Sequence, residues 1–357
     1  MAIDEAWKGC TNLLCIRLDN MGDILMTSPA LRALKDSFDD VKLTLLTSTR
    51  GALIVPFVPE IDDVLMFDAP WVSEEYRDNI AFMAQELYHK NFDGAIIFTT
   101  YSQSPLPAAV LCYEAGIPRV LAYCHENPYA LLTDWVPDVE PQELISHEVR
   151  RQLDLVRTIG ATTDDVKISF DVGDEFSDAA RRKLLAAGVD LDGKWLVLHA
   201  GASDPRRRYP FKEYASAARE LVQDGWHIVL TGSRGEKGYI GKLAAMIGKG
   251  AVNMAGKLAI GELGSAIGMA PVLVTNNTLP AHIAAALGTP VVVLYAQTNP
   301  QHTPWEVPSR VLYFPVAEKL RSKNRWLQVW PGPDEPMATP KRIVQSVRAL
   351  VEEAGHG

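Results

Sequence analysis

Residues 13–31 read LLCIRLDNMGDILMTSPAL, and the reading of this stretch decides the fold. LLCIRL is an apolar run of strand length, DNMGD is a polar turn, and Leu25, Leu31 and Leu34 then fall on one face of a helix. A strand that ends in a turn and opens a helix is the first half of a parallel βαβ unit. The same alternation runs outward through the chain. Strand-sized runs are predicted at Lys42–Thr47, 64–67, 95–98, 119–123, Trp195–His199 (WLVLH), 228–231 (IVLT), 272–275 (VLVT) and 291–295 (VVVLY). Helical stretches near 74–88, 108–115, 147–159 and 340–353 fall between or after them. Continuous apolar runs about five residues long, separated by helices, are how a parallel sheet covered on both faces reads. Residues 127–142 hold three prolines, break the pattern and read as a crossing segment. Two doubly wound, Rossmann-like α/β domains facing across a central cleft are expected. The first spans 1–165 and the second 166–340, and a C-terminal helix at 341–357 crosses back to the first.

The length agrees, since 357 residues at ~150 residues per domain give two. A chain that is 47% hydrophobic and 22% charged is an ordinary globular one, which excludes disordered, collagenous and coiled-coil readings. The net charge of −9 argues against a nucleic-acid partner. It is unevenly spread: residues 1–150 carry 10 basic and 23 acidic side chains, whereas 151–357 carry 25 and 21. The second half suits a phosphate ligand and the first does not. Four scattered cysteines (Cys10, Cys15, Cys112, Cys124) without a C-x-x-C fit a reducing cytoplasm. The acidic start is unlike a signal peptide, and no run approaches the ~20 apolar residues of a membrane span. A soluble or peripheral protein is expected.

Ligands of such sheets bind at the carboxyl ends of the strands, in the turns that open helices. In Asn20-Met21-Gly22-Asp23, Gly22 permits close approach and Asp23 stands where the helix begins. Its carboxylate is either a cap worth ~1 kcal/mol or a general base for an incoming hydroxyl. The loop 201–210, GASDPRRRYP, follows strand WLVLH and places Arg206, Arg207 and Arg208 near Ser203. Forked guanidinium donors at a strand end match phosphate oxygens, the alternative being a solvated basic loop. The glycines of TGSRGEKG, at 232, 235 and 238, miss the G-x-G-x-x-G spacing, which disfavours a nicotinamide site. Glu236 in that turn is either a ribose-binding carboxylate or an exposed helix-start residue. Asn276, Asn277, Thr278 and Leu279 open a small-residue helix containing His282, where unpaired N–H groups would accept an anion. Asn and Thr are also ordinary caps, and a histidine one turn in is commonly a core residue. The turn 296–300 is a polar strand-end loop. Asp190-Leu191-Asp192 reads as turn carboxylates, and His147-Glu148 lacks the second histidine of a zinc helix because residue 151 is arginine. No metal site is expected.

Taken in order, these turns resemble glycosyltransferase family 9, the ADP-heptose:lipopolysaccharide heptosyltransferase family. Residues 20–31, NMGDILMTSPAL, are similar to its S-x-G-D-x-hydrophobic-x-x-x-P-A-L opening. Residues 201–210 resemble its G-A-S-x-x-K-x-W-P loop, 276–282 its N-D-T-G-P-A-H turn and 296–300 its G-P-T-x-P loop. His147-Glu148 with 153–160 resembles its inter-domain H-E helix. The similarity covers roughly residues 12–352 and is carried by five weak motifs in the right order. It implies a GT-B fold, with an N-terminal acceptor domain and a C-terminal nucleotide-sugar domain, and an inverting, metal-independent sugar transfer without a cofactor. On the matching positions Asp23 would be the catalytic base, in a reaction-centre loop with Asn20, Met21 and Gly22. Ser203, Arg207, Arg208, Asn276, Asn277, Thr278, Leu279 and His282 would bind the diphosphate, and Glu236, Gly256, Lys257 and Leu258 the nucleoside. The sequence departs from the pattern with Arg207 for Lys, Tyr209 for Trp, Asn277 for Asp and Leu279 for Gly.

The implied partners are a nucleotide diphosphate sugar, an ADP-sugar before others, and a glycan or glycolipid hydroxyl. The implied setting is lipopolysaccharide biosynthesis in the cytoplasm, with peripheral contact at the inner membrane. A nucleotide-sugar epimerase or hydrolase on the same fold is one competing reading. A non-catalytic nucleotide-sugar-binding protein is the other.

Overall fold

The computed structural model describes residues 3–72, 78–296, 300–316 and 337–355, and the chain divides into two compact units, Met1–Ser169 and Phe170–Gly357. Among the described residues each unit holds one six-stranded parallel sheet. In the first unit the strands are β1 (Asn12–Ile16), β2 (Lys42–Thr47), β3 (Asp63–Met66), β4 (Gly94–Ile97), β5 (Val120–Cys124) and β6 (Asp134–Pro137), ordered β3-β2-β1-β4-β5-β6. They alternate with α1 (Met21–Ser37), α2 (Ile80–Lys90), α3 (Leu106–Glu114) and α4 (Glu148–Arg157). The second unit begins with α5 (Asp174–Ala186) and continues β7 (Trp195–His199), α6 (Phe211–Gln223), β8 (His227–Thr231), α7 (Lys237–Ile247) and β9 (Ala251–Asn253). It ends with α8 (Ile260–Met269), β10 (Leu273–Asn276), α9 (Leu279–Leu287), β11 (Val291–Ala296), β12 (Ser309–Phe314) and α10 (Pro340–Gly355). Its order is β12-β11-β10-β7-β8-β9.

Numbered from its own first strand, each sheet runs 3-2-1-4-5-6. The order reverses between β1 and β4 in one and between β7 and β10 in the other. In a doubly wound sheet that reversal opens the crevice where ligands bind, at the carboxyl ends of the strands. Leu13, Leu14, Cys15 and Ile16 of β1 and all six residues of β11 are buried, because helices cover both faces of each sheet.

The loop-to-helix junction of residues 13–31 is built as its composition dictates. Asn20 is the N-cap of α1 and Asp23 its third residue. Pro29 lies inside the helix and cannot donate to the Leu25 carbonyl one turn back. The Ser28 hydroxyl donates to that carbonyl instead, at 2.7 Å, and its oxygen accepts from the Ser169 N–H at 2.8 Å.

Four features differ from expectation. Residues 134–137, read as part of a crossing segment, form β6. This is an edge strand whose burial alternates, so it lacks the continuous apolar run, and its Pro137 is tolerated at an edge. The short strands β9 and β12 were equally silent, because β9 is only half-buried and β12 is an edge. Helix α10, expected to cross back, buries Ile343, Val344, Val347 and Leu350 in the core of the second unit and packs on α6. The helix expected near 74–88 begins at Ile80, where the Asn79 side chain accepts from the Phe82 N–H at 3.1 Å, and residues 73–77 lie outside the described residues.

Helix α8 shows why its glycines are there. A Cβ at Gly264 would sit 2.2 Å from the Phe170 ring, and one at Gly261 would sit 2.6 Å from the Phe176 ring. Gly238 in α7 has no heavy atom within 4 Å of its Cβ position. Gly264→Ala should therefore lower the unfolding free energy by about 1–3 kcal/mol through overpacking. Gly238→Ala should raise it by about 0.5–1 kcal/mol through helix propensity. Urea unfolding of the two variants checks the opposite signs.

Candidate functional site

The first unit's sheet carries one charged side chain at its centre. Arg17 follows β1 directly and is fully buried. A guanidinium without water must be paired. Its Nε lies 3.0 Å from Asp19 Oδ2, and its Nη2 lies 2.9 Å from Glu148 Oε1 and 3.4 Å from Asp23 Oδ1. Glu148 is fully buried at the first position of α4, and Gln152, one turn on, donates to Glu148 Oε1 at 2.6 Å and to the Thr99 carbonyl at 3.0 Å. Three carboxylates thus meet one cation. Burial and the negative charges of Asp23 and Glu148 push Asp19 up to about 6, against the pull of Arg17 and of the Gln103 amide that donates to it.

Asp23 closes the start of α1 and also faces the buried guanidinium. Its Oδ2 accepts from the Asn20 N–H at 3.2 Å, closing the first turn of α1, while Oδ1 faces Arg17. The Asp23 carboxylate remains partly exposed at the sheet's carboxyl edge. Asn20 caps the helix, and Met21 and the buried Gly22 fill its first turn. The H-E pair resolves in the same way. His147 is the N-cap of α4, its ring nitrogen accepting from the Val149 N–H at 3.2 Å, and Glu148 is a counter-ion of Arg17.

In the second unit the loops after β7, β8, β9 and β10 share the carboxyl edge of one sheet. The three arginines are not equivalent. Arg206 is held by Asp204 at 2.6 Å. Arg208 donates twice to the Ala202 carbonyl, at 2.9 and 2.7 Å, and lies 5.5 Å over the Tyr239 ring. Arg207 has its Nε buried with no hydrogen-bond partner among the described residues. Ser203 is exposed beside them. Tyr209 is a packing residue, edge-on to Tyr214 and Phe314 at 5.2 and 5.4 Å.

Asn276 is spent inside the protein. Its amide donates to the Ala200 carbonyl at 2.9 Å and accepts from the Tyr209 N–H at 3.1 Å and the Tyr214 hydroxyl at 2.9 Å. It staples the loop after β7 to the end of β10. Asn277 is buried next to it, Thr278 occupies the N-cap position of α9 without a side-chain capping bond, and Leu279 and Pro280 form that helix's first turn. Pro280 removes one of the free N–H groups of the turn. His282 is buried, with its ring 6.3 Å from that of His302. Residues 297–299 of the last turn lie outside the described residues.

Glu236 lies against Gly201, where a Cβ would come within 2.4 Å of its Oε1. The Ser233 N–H and hydroxyl both donate to its Oε2 at 2.8 Å. Burial raises the Glu236 pKa, but these donors, with His199 and Arg208, outweigh it and hold the carboxyl below its ordinary value. Burial also pulls the adjacent His199 down to about 4, so its imidazole is neutral at neutral pH. Gly256 has φ +67°, and its N–H donates to the Gly232 carbonyl at 2.8 Å, so the β9 and β8 loops touch. Lys257 is exposed and Leu258 half-buried on the same loop.

Sequence reading missed Arg17, Asp19 and Gln103. One signal was present: an arginine inside the apolar run LLCIRL must find partners, and carboxylates two and six residues on are in reach. Gln103 had no signal, since its role comes from the pairing of β1 with β4.

A model described as Glycosyltransferase family 9 (heptosyltransferase) matches residues 80–328. A Haemophilus influenzae protein named "Putative glycosyltransferase" is 25% identical over 273 residues, covering 69% of this chain and 74% of its own. A glycosyl transferase family 9 structure from Veillonella parvula superposes with a TM-score of 0.76 at 17% identity, covering 99% of both chains. The structure of E. coli ADP-heptose lps heptosyltransferase II gives 0.73 at 20% identity, covering 97% of this chain and 100% of that one. The two structures share the GT-B fold with this chain.

The raised Asp19 has a consequence for stability. Its carboxyl holds a proton up to about pH 6 when folded, but only to 3.8 when free. The group therefore favours the folded state below the lower value and loses that contribution as pH rises through the higher one. Urea unfolding between these pH values should show the wild type losing about 1–3 kcal/mol relative to Asp19→Asn. Parallel pH profiles for the two proteins would show an ordinary carboxylate.

Proposed function

The chain belongs to glycosyltransferase family 9, and from that premise we propose that it transfers a sugar from a nucleoside diphosphate sugar to a hydroxyl of a glycan or glycolipid. The observation that carries this reading is Asp23, a carboxylate held ready at a sheet's carboxyl edge by Arg17 and by the start of α1. In the proposed reaction Asp23 removes the proton of the acceptor hydroxyl as that oxygen attacks the anomeric carbon. The bond from that carbon to the diphosphate oxygen breaks on the opposite face, which inverts the centre.

The leaving diphosphate gains negative charge, and fixed donors must meet it. Arg207 is the fitted residue, because Asp204 and the Ala202 carbonyl occupy its neighbours. The start of α9 adds its dipole. Asn277 and His282 lie beside that turn. Asn276 acts at one remove, by fixing the loop that carries Arg207. Glu236 takes the ribose hydroxyls, and the 256–258 loop lies under the nucleobase. An ADP-sugar of the heptose class is the donor we favour, as the E. coli relative is named for ADP-heptose. Charge neutralisation by Arg207 and α9 makes this a metal-independent transfer. Glycan assembly of the lipopolysaccharide kind, at the cytoplasmic face of the membrane, is the setting proposed. No helix among the described residues is long and apolar enough to cross a membrane.

A thermal-shift panel of nucleoside diphosphates and nucleotide sugars tests the donor directly, since a ligand of the folded state must stabilise it. ADP and ADP-heptose should give the largest shifts, and Arg207→Ala should weaken ADP about 10–100-fold. Asp23→Asn should keep donor affinity and lose transfer by about 10²–10⁴-fold. Undiminished transfer by Asp23→Asn overturns the base assignment. Turnover of donor without any acceptor would mark an epimerase or hydrolase, and no nucleotide affinity at all a non-catalytic protein.

A further inference from the structure

A cavity of about 390 Å³ opens in the first unit where the strand order reverses, at the ends of β1 and β4. Its volume falls in the range of sites for small organic ligands. The back wall is apolar, with Ile16, Ile97 and Phe98 from the sheet, and Trp71 stands at its side. The Trp71 ring is braced edge-on against Phe67, with centroids 5.6 Å apart. Asp19, Thr99 and Gln103 supply polar groups. No lysine or arginine is among the described residues that line it. Arg17 sits behind Asp19, with its charge already shared among three carboxylates.

Thr99 is 8% exposed, and its Oγ1 is buried with no hydrogen-bond partner among the described residues. Buried hydroxyls are normally satisfied, and one left over on a cavity wall calls for a ligand atom. Asp19 uses one oxygen toward Arg17 and the other toward Gln103, so each oxygen still has a lone pair to offer. An ionised carboxylate accepts hydrogen bonds and donates none. It therefore recognises hydroxyl groups and repels phosphate, and none of the described residues lining this cavity offsets that repulsion.

We propose that this cavity is a subsite for an uncharged sugar ring, the acceptor's pyranose, packed on Trp71 and hydrogen-bonded through its hydroxyls to Asp19 and Thr99. The assignment rests on the transferase reading above and narrows it to acceptors whose reacting ring carries no phosphate. Trp71 offers a broad apolar face to the ring's C–H surface, while the polar groups take its edge. Asp19 is then a specificity residue, distinct from the base Asp23 four residues later.

The test uses methyl pyranosides of glucose, galactose and mannose, with glucose 6-phosphate and mannose 6-phosphate as charged counterparts. Binding to the full chain is read by saturation-transfer NMR, at about millimolar affinity for ligands of this size. At least one neutral glycoside should bind, and the phosphates should bind tenfold or more weakly. Trp71→Ala should abolish the signal and Trp71→Phe should restore part of it. Thr99→Val should weaken binding three- to tenfold, and Asp19→Asn should narrow the gap between neutral and phosphorylated sugars. A thermal shift with ADP on the same samples separates the two claims. If ADP stabilises the protein but no neutral glycoside binds, the subsite is overturned and the transferase reading stands. If a glycoside binds as expected and ADP does not, the transferase reading is what fails. Tighter binding of the phosphates, or a signal unchanged in both Trp71→Ala and Thr99→Val, also overturns the subsite.

Discussion

A guanidinium with no access to water organises the first unit. Arg17 can be buried at the end of β1 only if carboxylates reach it, and those it finds come from the turn after its own strand and from the start of α4. Residues 17 and 148 are far apart in sequence, so this pairing closes the unit as well as furnishing its edge. Breaking a buried ion pair at one partner costs about 3–5 kcal/mol, which makes register and charge mutually dependent here. The helix starts obey the same constraint. Asp23 closes the first turn of α1 with one oxygen and faces Arg17 with the other, so the cap and the ion-pair partner are one group.

The second unit solves the same topological problem with a neutral group. Where the first sheet has Arg17 at the reversal of strand order, the second has Asn276, whose amide joins the loop after β7 to the end of β10. A satisfied buried amide costs far less than a buried charge. It also leaves the charged residues of the neighbouring loop free to be sorted by their own neighbours. Asp204 takes Arg206, a carbonyl and a ring take Arg208, and Arg207 Nε has no hydrogen-bond partner among the described residues.

The inner strands were legible because burial on both faces writes a continuous apolar run, as in LLCIRL, WLVLH and VVVLY. The same rule hid β6, β9 and β12, which are edge or half-buried strands with no such run. The positions of the site turns followed from the fold, since strand ends that open helices are visible in sequence. What each side chain does there was not legible. Three adjacent arginines look alike in RRR, and only their neighbours distinguish them. Glu148 looked like a failed zinc motif because its partner, Arg17, lies on another element. Asn276 matched a phosphate-binding pattern, yet its hydrogen bonds run to Ala200, Tyr209 and Tyr214.

The uneven charge of the two halves takes on a different meaning once the partners are known. Many carboxylates of the first unit are spent internally. Arg17 takes Asp19, Asp23 and Glu148, Arg151 takes Asp138 and Glu140, and Arg32 takes Glu60 and Asp165. A net count therefore overstates the field that a ligand would meet. Its consequence is of another kind: two or three carboxylates per guanidinium leave no spare cation among the described residues at the crevice of that sheet. In the second unit the loop after β7 carries three arginines and one aspartate, so the surplus runs the other way. Whether a crevice accepts a phosphate or a neutral hydroxyl then depends on whether one guanidinium is left uncommitted there, and the sum of charges over the half-chain does not decide it.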